Sequence, residues 1–599
     1  MSYLDVPRIH FAGRFFTDPS TINNDRTHYD PAITDPSPWW NPNGNHNTEF
    51  RHCRVTTAYD LKGNVLQLPS DDPVIGAAIS TPFDPTTSAM AKIVDLDVDQ
   101  QGVSTFYGLN LRLKPADGVE INGSVEPPSL NSLWRNVMPS MDWQGGEGGG
   151  DPPNDVYFSG SFQTIVTVPE AQWPATPSSP LLTALRQACG AANGNLILSF
   201  KFVLDAYFDD NLEAGFKTGR IVGTLGAGQA AEPVQCPAAR WLNARPFPTQ
   251  TPNWNYLAFN GAPFQIDAAR NKLVVDLGNS IPVMDVASSS AHLGQLTAAI
   301  DPADGPRIVI GSLDYSQYCH MATAGITEVD ITPAQQSLLT NNPLKLVASD
   351  AGPGPAELFS EDAAGLYFAV DQRVFRMALD TTGYQTMTTN VYATRFGVPT
   401  DVPLQFVLLA SIPNSSGGFD LPQPTDGLTF TIAPSGTPGK MVVTLNANKD
   451  PGQPPDRPAQ LDGQVYQIGL TTAPPPQPNI SNFPQERTIS VHLYANYAVQ
   501  TEPGFEVIRD LMAPYMKLYP AMRESVELRD KATFRFYSNM PPPAPLAKGI
   551  MFQLLTAPFN SPQFMPITRD LSPNKTQTIL NYMQNVMNRL PGATAPTAS

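Results

Sequence analysis

Asp314, Tyr315, Tyr318, Cys319 and His320 form the densest run of reactive side chains in the chain. A carboxylate, two phenols, a thiol and an imidazole so close together could move a proton or hold a cofactor. The alternative is a buried polar cluster at the end of a strand. His10 stands in an apolar run, Arg8-Ile9-His10-Phe11-Ala12. It can be read as an acid-base group or as a hydrogen-bonded histidine beside a strand. Asp95, Asp97 and Asp99 alternate, so a strand would carry all three carboxylates on one face, about 7 Å apart. Such a face could hold a hard cation such as Ca²⁺ if carbonyl or amide oxygens joined it, or could be a solvated acidic edge. His10, His320 and Asp314 are therefore the candidate acid-base groups, and Arg395 is a candidate substrate anchor.

Other chemistries find little support. The remaining histidines, His28, His46, His52, His292 and His492, form no HExxH or similar ligand pattern. Cys53, Cys189, Cys236 and Cys319 show no CxxC spacing, which argues against a zinc ribbon, a redox pair or a disulfide framework. Gly311-Ser312-Leu313-Asp314 lacks the second glycine of a nucleophile elbow, although a Ser-His-Asp triad can assemble from distant segments. The Gly-rich stretch inside 143–153 lacks the Lys-Ser or Lys-Thr of a phosphate cradle and reads as a loop.

The elements that must position these residues read mostly as strands. From Leu196 to Phe208, Leu196, Leu198, Phe200, Phe202 and Leu204 alternate with Ser199, Lys201 and Asp205, the period of a half-buried strand. Similar signals occupy 108–113, 307–310, 366–370 and 441–445. Long proline-rich loops are expected at 143–153, 410–439 and 473–484. After residue 500 the period changes. Val507, Ile508, Leu511, Met512 and Tyr515 predict a helix over 505–530, bent at Pro514 and Pro520. Ser572 as cap and Pro573 at the first position predict a second, with Ile579, Leu580, Met583 and Val586 as its apolar stripe. The expected fold is mainly β, with antiparallel sandwich or barrel-like sheets and a helical C-terminal segment, α+β overall. The expected units are 1–290, 291–500 and 501–599.

The 599 residues carry a net charge of −17, a field that repels phosphate backbones and anionic lipid heads. Nucleic acid and membrane partners are not expected. The amino-terminal residues lack a basic and apolar leader, so a soluble, cytoplasmic protein is the expectation. A homo-oligomer is left open.

The opening Leu4-Asp5-Val6-Pro7-Arg8-Ile9-His10-Phe11-Ala12-Gly13, with Thr21-Ile22-Asn23-Asn24-Asp25 and His46-Asn47-Thr48-Glu49-Phe50, resembles the amino-terminal region of the iminophenyl-pyruvate dimer synthase and chromopyrrolate synthase family. The resemblance continues in Ile93-Val94-Asp95-Leu96-Asp97, Tyr107-Gly108 and Gly325-Ile326, and is strongest in 515–522 and 564–572. It implies a β-rich module of natural-product biosynthesis that couples or cyclises a reactive imine, enamine or aryl-pyruvate-like intermediate. The implied partner is a small aromatic or carboxylate-bearing molecule, with an arginine such as Arg395 as clamp. Iron or haem is associated with the family, and Cys319 or His320 could serve as an axial ligand. The family's iron-binding helical bundle is not expected in this chain. Two alternatives stand beside the enzyme: a noncatalytic ligand or protein-binding scaffold, and a hydrolase with a dispersed triad.

Overall fold

The computed structural model describes residues 3–18, 46–84, 89–94, 96, 103–116, 118, 120–138, 155–174, 177–208, 218–237, 239–245, 259–281, 293–302, 305–350, 355–379, 385–413, 418–453, 462–473, 478–480, 483–518, 531–532 and 550–588. Alternating apolar residues build the first unit. Eight of the thirteen strands of its sheet run round the barrel: β1 (Arg8–Asp18), β2 (His46–Tyr59), β3 (Ala78–Ser80), β4 (Asn110–Lys114), β5 (Ile121–Val125), β6 (Asp155–Pro169), β7 (Asn195–Phe208) and β8 (Thr218–Ala227). Each pairs antiparallel with its neighbour in the chain, and β8 returns to β1, so the sheet closes into an up-and-down barrel. Closure removes the free edges that would otherwise invite pairing with other chains. Eight strands leave an interior just wide enough for side chains. Phe11, Phe15, Phe50, Phe106, Phe162, Phe200 and Phe202 occupy it. Each buried ring contributes about 2–3 kcal/mol of apolar burial.

Helix α1 (Pro180–Ala188) closes one end of that barrel with Leu181, Leu182 and Leu185. Its start is doubly fixed. Ser179 accepts from the Leu182 amide, and buried Asp72 accepts from the Leu181 amide and the Ser179 hydroxyl.

The second unit is an eight-stranded antiparallel sheet. It contains β9 (Arg240–Ala244), β10 (Ala262–Asp267), β11 (Lys272–Asp276), β12 (Leu296–Ile300), β13 (Ile308–Leu313), β14 (Ile326–Asp330), β15 (Leu344–Ala348) and β16 (Ala356–Glu361). Its edge strands, β13 and β14, face each other closely: a Cβ on Gly311 would stand 2.7 Å from Val329. Leu242, Phe264, Leu273, Val275, Leu346 and Phe359 fill its core. Strands on both sides of residue 290 belong to this one sheet, so the expected division after 290 falls inside the second unit.

A five-stranded and a four-stranded sheet make the third unit, with the short strand Val398–Pro399 as the fifth strand of the first. One runs β17 (Leu366–Val370), β19 (Thr386–Arg395), β22 (Lys440–Ala447), β21 (Leu428–Pro434). The other runs β18 (Val374–Ala378), β24 (Thr488–Tyr494), β23 (Gln464–Thr471), β20 (Gln405–Leu408). They enclose Phe368, Val391, Val443, Tyr466, Ile468 and Val491 as a sandwich. The expected loop at 410–439 contains β21, where Phe430 and Ile432 alternate with Thr429 and Thr431 behind the proline-rich approach.

Helices α2 (Gln317–Thr323) and α3 (Pro333–Leu339) belong to the second unit. Helices α4 (Phe505–Leu518), α5 (Ile550–Leu555) and α6 (Pro573–Asn588) gather Ile508, Met512, Phe552, Leu555, Ile579 and Met583 into a final cluster. Ser572 caps α6 as expected. The chain is thus mainly β with a helical C-terminal segment. Among the described residues no helix is long and apolar enough to cross a membrane.

The outer face of β7 departs from its half-buried reading. Ser199, Lys201 and Asp205 are all buried, because the second unit and α2 cover them. Ala12, Val203 and Val222 on the barrel wall meet Ala324 and Met321 from the end of α2.

Candidate functional site

The polar residues singled out in the sequence fall into separate networks. His10 is fully buried on β1. Its Nε2 accepts from the Arg8 Nε at 3.2 Å, which leaves the proton on Nδ1 to be donated to Thr224 Oγ1 at 2.9 Å. Burial, and then the Arg8 charge, hold its pKa well below the usual imidazole value. Arg8 also donates to the Leu4 carbonyl and to Glu328, stacks over Tyr59 at 4.1 Å, and shares Glu328 with Arg270. His10 is a saturated wedge between the first two units, with both ring nitrogens in use.

His320, on α2, bonds through Nε2 to Asp205 Oδ2 at 2.8 Å. The other Asp205 oxygen accepts from Arg220 Nε at 2.6 Å. Burial pushes the Asp205 carboxyl up, but Arg220 and His320 outweigh it and hold it below the usual carboxylate range. Asp314 is exposed and accepts from the Ser316 amide at 2.8 Å, a turn that starts α2. Arg395 lies on the third unit, exposed, and donates to the Ala364 carbonyl at 3.2 Å. The structure therefore puts Cys319 and His320 on one short helix and Asp314 in the turn before it but gives each a different partner, and it leaves His10 and Arg395 elsewhere.

The two axial-ligand candidates each have a protein partner. Cys319 is buried beside Thr323 Oγ1 at 3.3 Å, and burial pushes its thiol up to about 11. A thiolate ligand needs the opposite environment. The His320 Nε2 is committed to Asp205. Asp95, Asp97 and Asp99 lie outside the described residues. Among the described residues, no group of three or more His, Cys, Asp or Glu side chains is placed to hold a metal ion.

A different place has the shape of a site. A cleft of about 830 Å³ opens where the first unit, the sandwich and the 558–560 segment meet. Its rings are Tyr107, Phe375 and Phe559, and its charged groups are Glu126, Asp371 and Arg376. One wall is a clasp built by distant segments. Arg376 donates to the Tyr107 hydroxyl and to the Thr568 carbonyl, each at 3.1 Å. The buried Arg569 guanidinium lies 3.8 Å from the Tyr107 ring centre and donates to the carbonyls of Phe559, Ser561 and Ile567. Gly108 has a φ of 66°, and a Cβ there would stand 2.4 Å from Pro562, so glycine is required by both conformation and contact. Tyr107-Gly108 and the 564–572 segment, two of the stretches that carry the family resemblance, are thus in direct contact at the cleft.

The floor is set by Gln235. Its amide donates to Asp371 Oδ1 at 2.6 Å, and its side chain bridges Pro127 and Ser129. Burial raises the Asp371 carboxyl to about 6, although backbone N–H groups of 234–236 oppose the shift. Burial also raises Glu126, whose side chain is exposed to the cleft while protein crowds it from behind. Among the described residues, no hydrogen-bond donor or cation meets its carboxylate. Arg376, Gln235, Ser129 and Asp371 have structural partners, whereas Glu126 does not. Neither Glu126 nor Asp371 sits in a motif, so no sequence signal marks them; Tyr107 is visible only within the resemblant Tyr107-Gly108 pair.

No protein-family model matches the chain, and no curated protein is significantly similar to it.

Proposed function

We propose that this protein is an enzyme of natural-product biosynthesis which orients a reactive aromatic intermediate for coupling or cyclisation, working in the cleft beside Tyr107. The resemblance to the dimer-synthase family supplies the reaction class, and the cleft supplies a place for it. The observation that carries the reading is Glu126: an unpartnered carboxyl with a raised pKa, facing a cavity walled by rings. A carboxyl in that state can take a proton from an enamine or imine intermediate and return it, with no metal required for the transfer. The tight clasp around Tyr107 would hold the ring wall still while the intermediate is aligned.

The test is protein-dependent consumption of an aryl-pyruvate in the presence of ammonium, followed by absorbance and by mass spectrometry of the products. Glu126→Gln should slow it by about a hundredfold or more, the size of a general acid-base contribution. Equal turnover in Glu126→Gln and in a cleft-filling Thr388→Trp variant would overturn the catalytic reading.

One observation favours a second reading, a noncatalytic ligand-binding scaffold. His10, His320, Asp314 and Arg395 all make structural hydrogen bonds, as a binding module would have them. The hydrolase reading has the Asp205 and His320 pair in its favour, but among the described residues no hydroxyl or thiol bonds the remaining His320 nitrogen.

A further inference from the structure

The cleft also carries information about the charge of what it takes. Four ionisable groups line it: Tyr107, Glu126, Asp371 and Arg376. Among the described lining residues the one cation is Arg376, which is buried and donates to the Tyr107 hydroxyl and the Thr568 carbonyl. A ligand carboxylate drawn to it would compete with those bonds and would stand near two carboxyl groups in a protein of net charge −17. The opposite charge meets no such obstacle. Glu126 presents a carboxylate at the cleft surface with no partner among the described residues, and Tyr107 and Phe559, set edge to face at 5.7 Å and 90°, give an apolar ring wall beside it, with Arg569 already stacked on Tyr107.

We infer that the cleft recognises a flat aromatic molecule through a protonated nitrogen held by Glu126, rather than through a carboxylate held by an arginine. This rests on the cleft being the binding site and refines the substrate class expected for it: the recognised end of the molecule is an amine or iminium, and any acid group it carries points to solvent. Glu126 is then the specificity-determining residue. Asp371, pinned by the 234–236 amides, adds field without direct contact.

Three indoles with a cationic, a neutral and an anionic side chain separate the charge from the ring: tryptamine, 3-methylindole and indole-3-propionate, titrated calorimetrically into the full chain at pH 8. Tryptamine should bind about tenfold or more tighter than indole-3-propionate, with 3-methylindole between them. In Glu126→Gln the three should converge to within about twofold while 3-methylindole is unchanged, which also shows that the variant is folded. Tightest binding of the propionate overturns the inference and leaves the cleft reading standing. A tryptamine preference that survives in Glu126→Gln overturns it too, because the overall negative charge would then be its source. If none of the three binds, or if Thr388→Trp fails to weaken binding, the cleft itself is not the site and both readings fall.

Discussion

Lys201 and Phe202 are neighbours in the chain and opposites in setting. Phe202 points into the first barrel, stacked on Phe162 at 5.1 Å with rings 12° apart and edged by Phe50 and Phe106. Lys201 points out of the same strand into the seam with the second unit, where it pairs with buried Asp276, which also accepts from the Tyr3 hydroxyl at 2.8 Å. The barrel interior is uniformly apolar, and the seams between units hold the charges: Arg8 with Glu328, Arg220 with Asp205, Arg376 beside Tyr107. Polar chemistry in this molecule belongs to the seams, and so does its one large cleft among the described cavities. A barrel of this size filled with rings has no room for a ligand; three units meeting imperfectly do.

The comparison can be broken most forcefully inside the barrel. Phe202→Ala should cost about 3–5 kcal/mol in denaturant unfolding, since the surrounding rings cannot all collapse into the void. A loss below about 1 kcal/mol would mean the interior is loosely packed and could admit a ligand after all. One residue away, Lys201→Met should cost about 3 kcal/mol by leaving Asp276 charged and buried. Adding Asp276→Asn should recover more than half, because its carbonyl oxygen can still accept from the Gly278 amide and its NH2 can donate to the Tyr3 hydroxyl oxygen, without carrying charge. No second substitution of that type exists for Phe202. If the double variant is no better than the single, the pair is more than a matched charge in a seam.

Protonation sharpens the contrast further. The Asp371 carboxyl titrates at about 6 in the folded protein, against an ordinary value of 3.8. The folded state therefore holds more protons than the unfolded one between those values. Stability should be highest below about pH 4 on this account and should fall as pH rises toward 6, by at most about 1.4 kcal/mol per pH unit. Asp371→Asn should flatten that fall, as read from urea midpoints at pH 4.5 and 7. Asp205 has the opposite sign: its contribution is present above the ordinary value and is lost as pH drops through the lowered one. An unaltered slope in Asp371→Asn would place the group outside the seam's dry region. The smallest effect belongs to Arg395→Ala, an exposed side chain with one backbone acceptor, expected within about 0.5 kcal/mol of the parent. A larger loss of activity than of stability there would restore it as a substrate anchor.

Where a strand has one apolar and one polar face, the period could be read directly. Leu196, Leu198, Phe200, Phe202 and Leu204 marked β7, and 366–370 and 441–445 were found in place. The Ser572-Pro573 start of α6 was legible because capping is local chemistry. The candidate site was legible only in fragments. His10 reads as an acid-base candidate in an apolar run, yet both its ring nitrogens are taken, by Arg8 two residues before it and by Thr224 on the neighbouring barrel strand. Asp314 and His320 looked like a cluster because they are close in sequence, and the turn into α2 sends them to Ser316 and Asp205 instead. Glu126 stood unmarked in a short stretch ending in Pro127 and Pro128.

Alternation of side chains about each strand, and the caps and prolines of the last helices, are set by neighbours one to four residues away, and those the amino-acid sequence determined by itself. Closure of the first barrel through β1 and β8, the burial of both faces of β7, and the meeting of Tyr107 with Arg376 and Arg569 depend on contacts between residues hundreds of positions apart. Burial and pairing fix which charges are silenced and which remain available, so only the tertiary structure could separate the saturated His10 from the open Glu126.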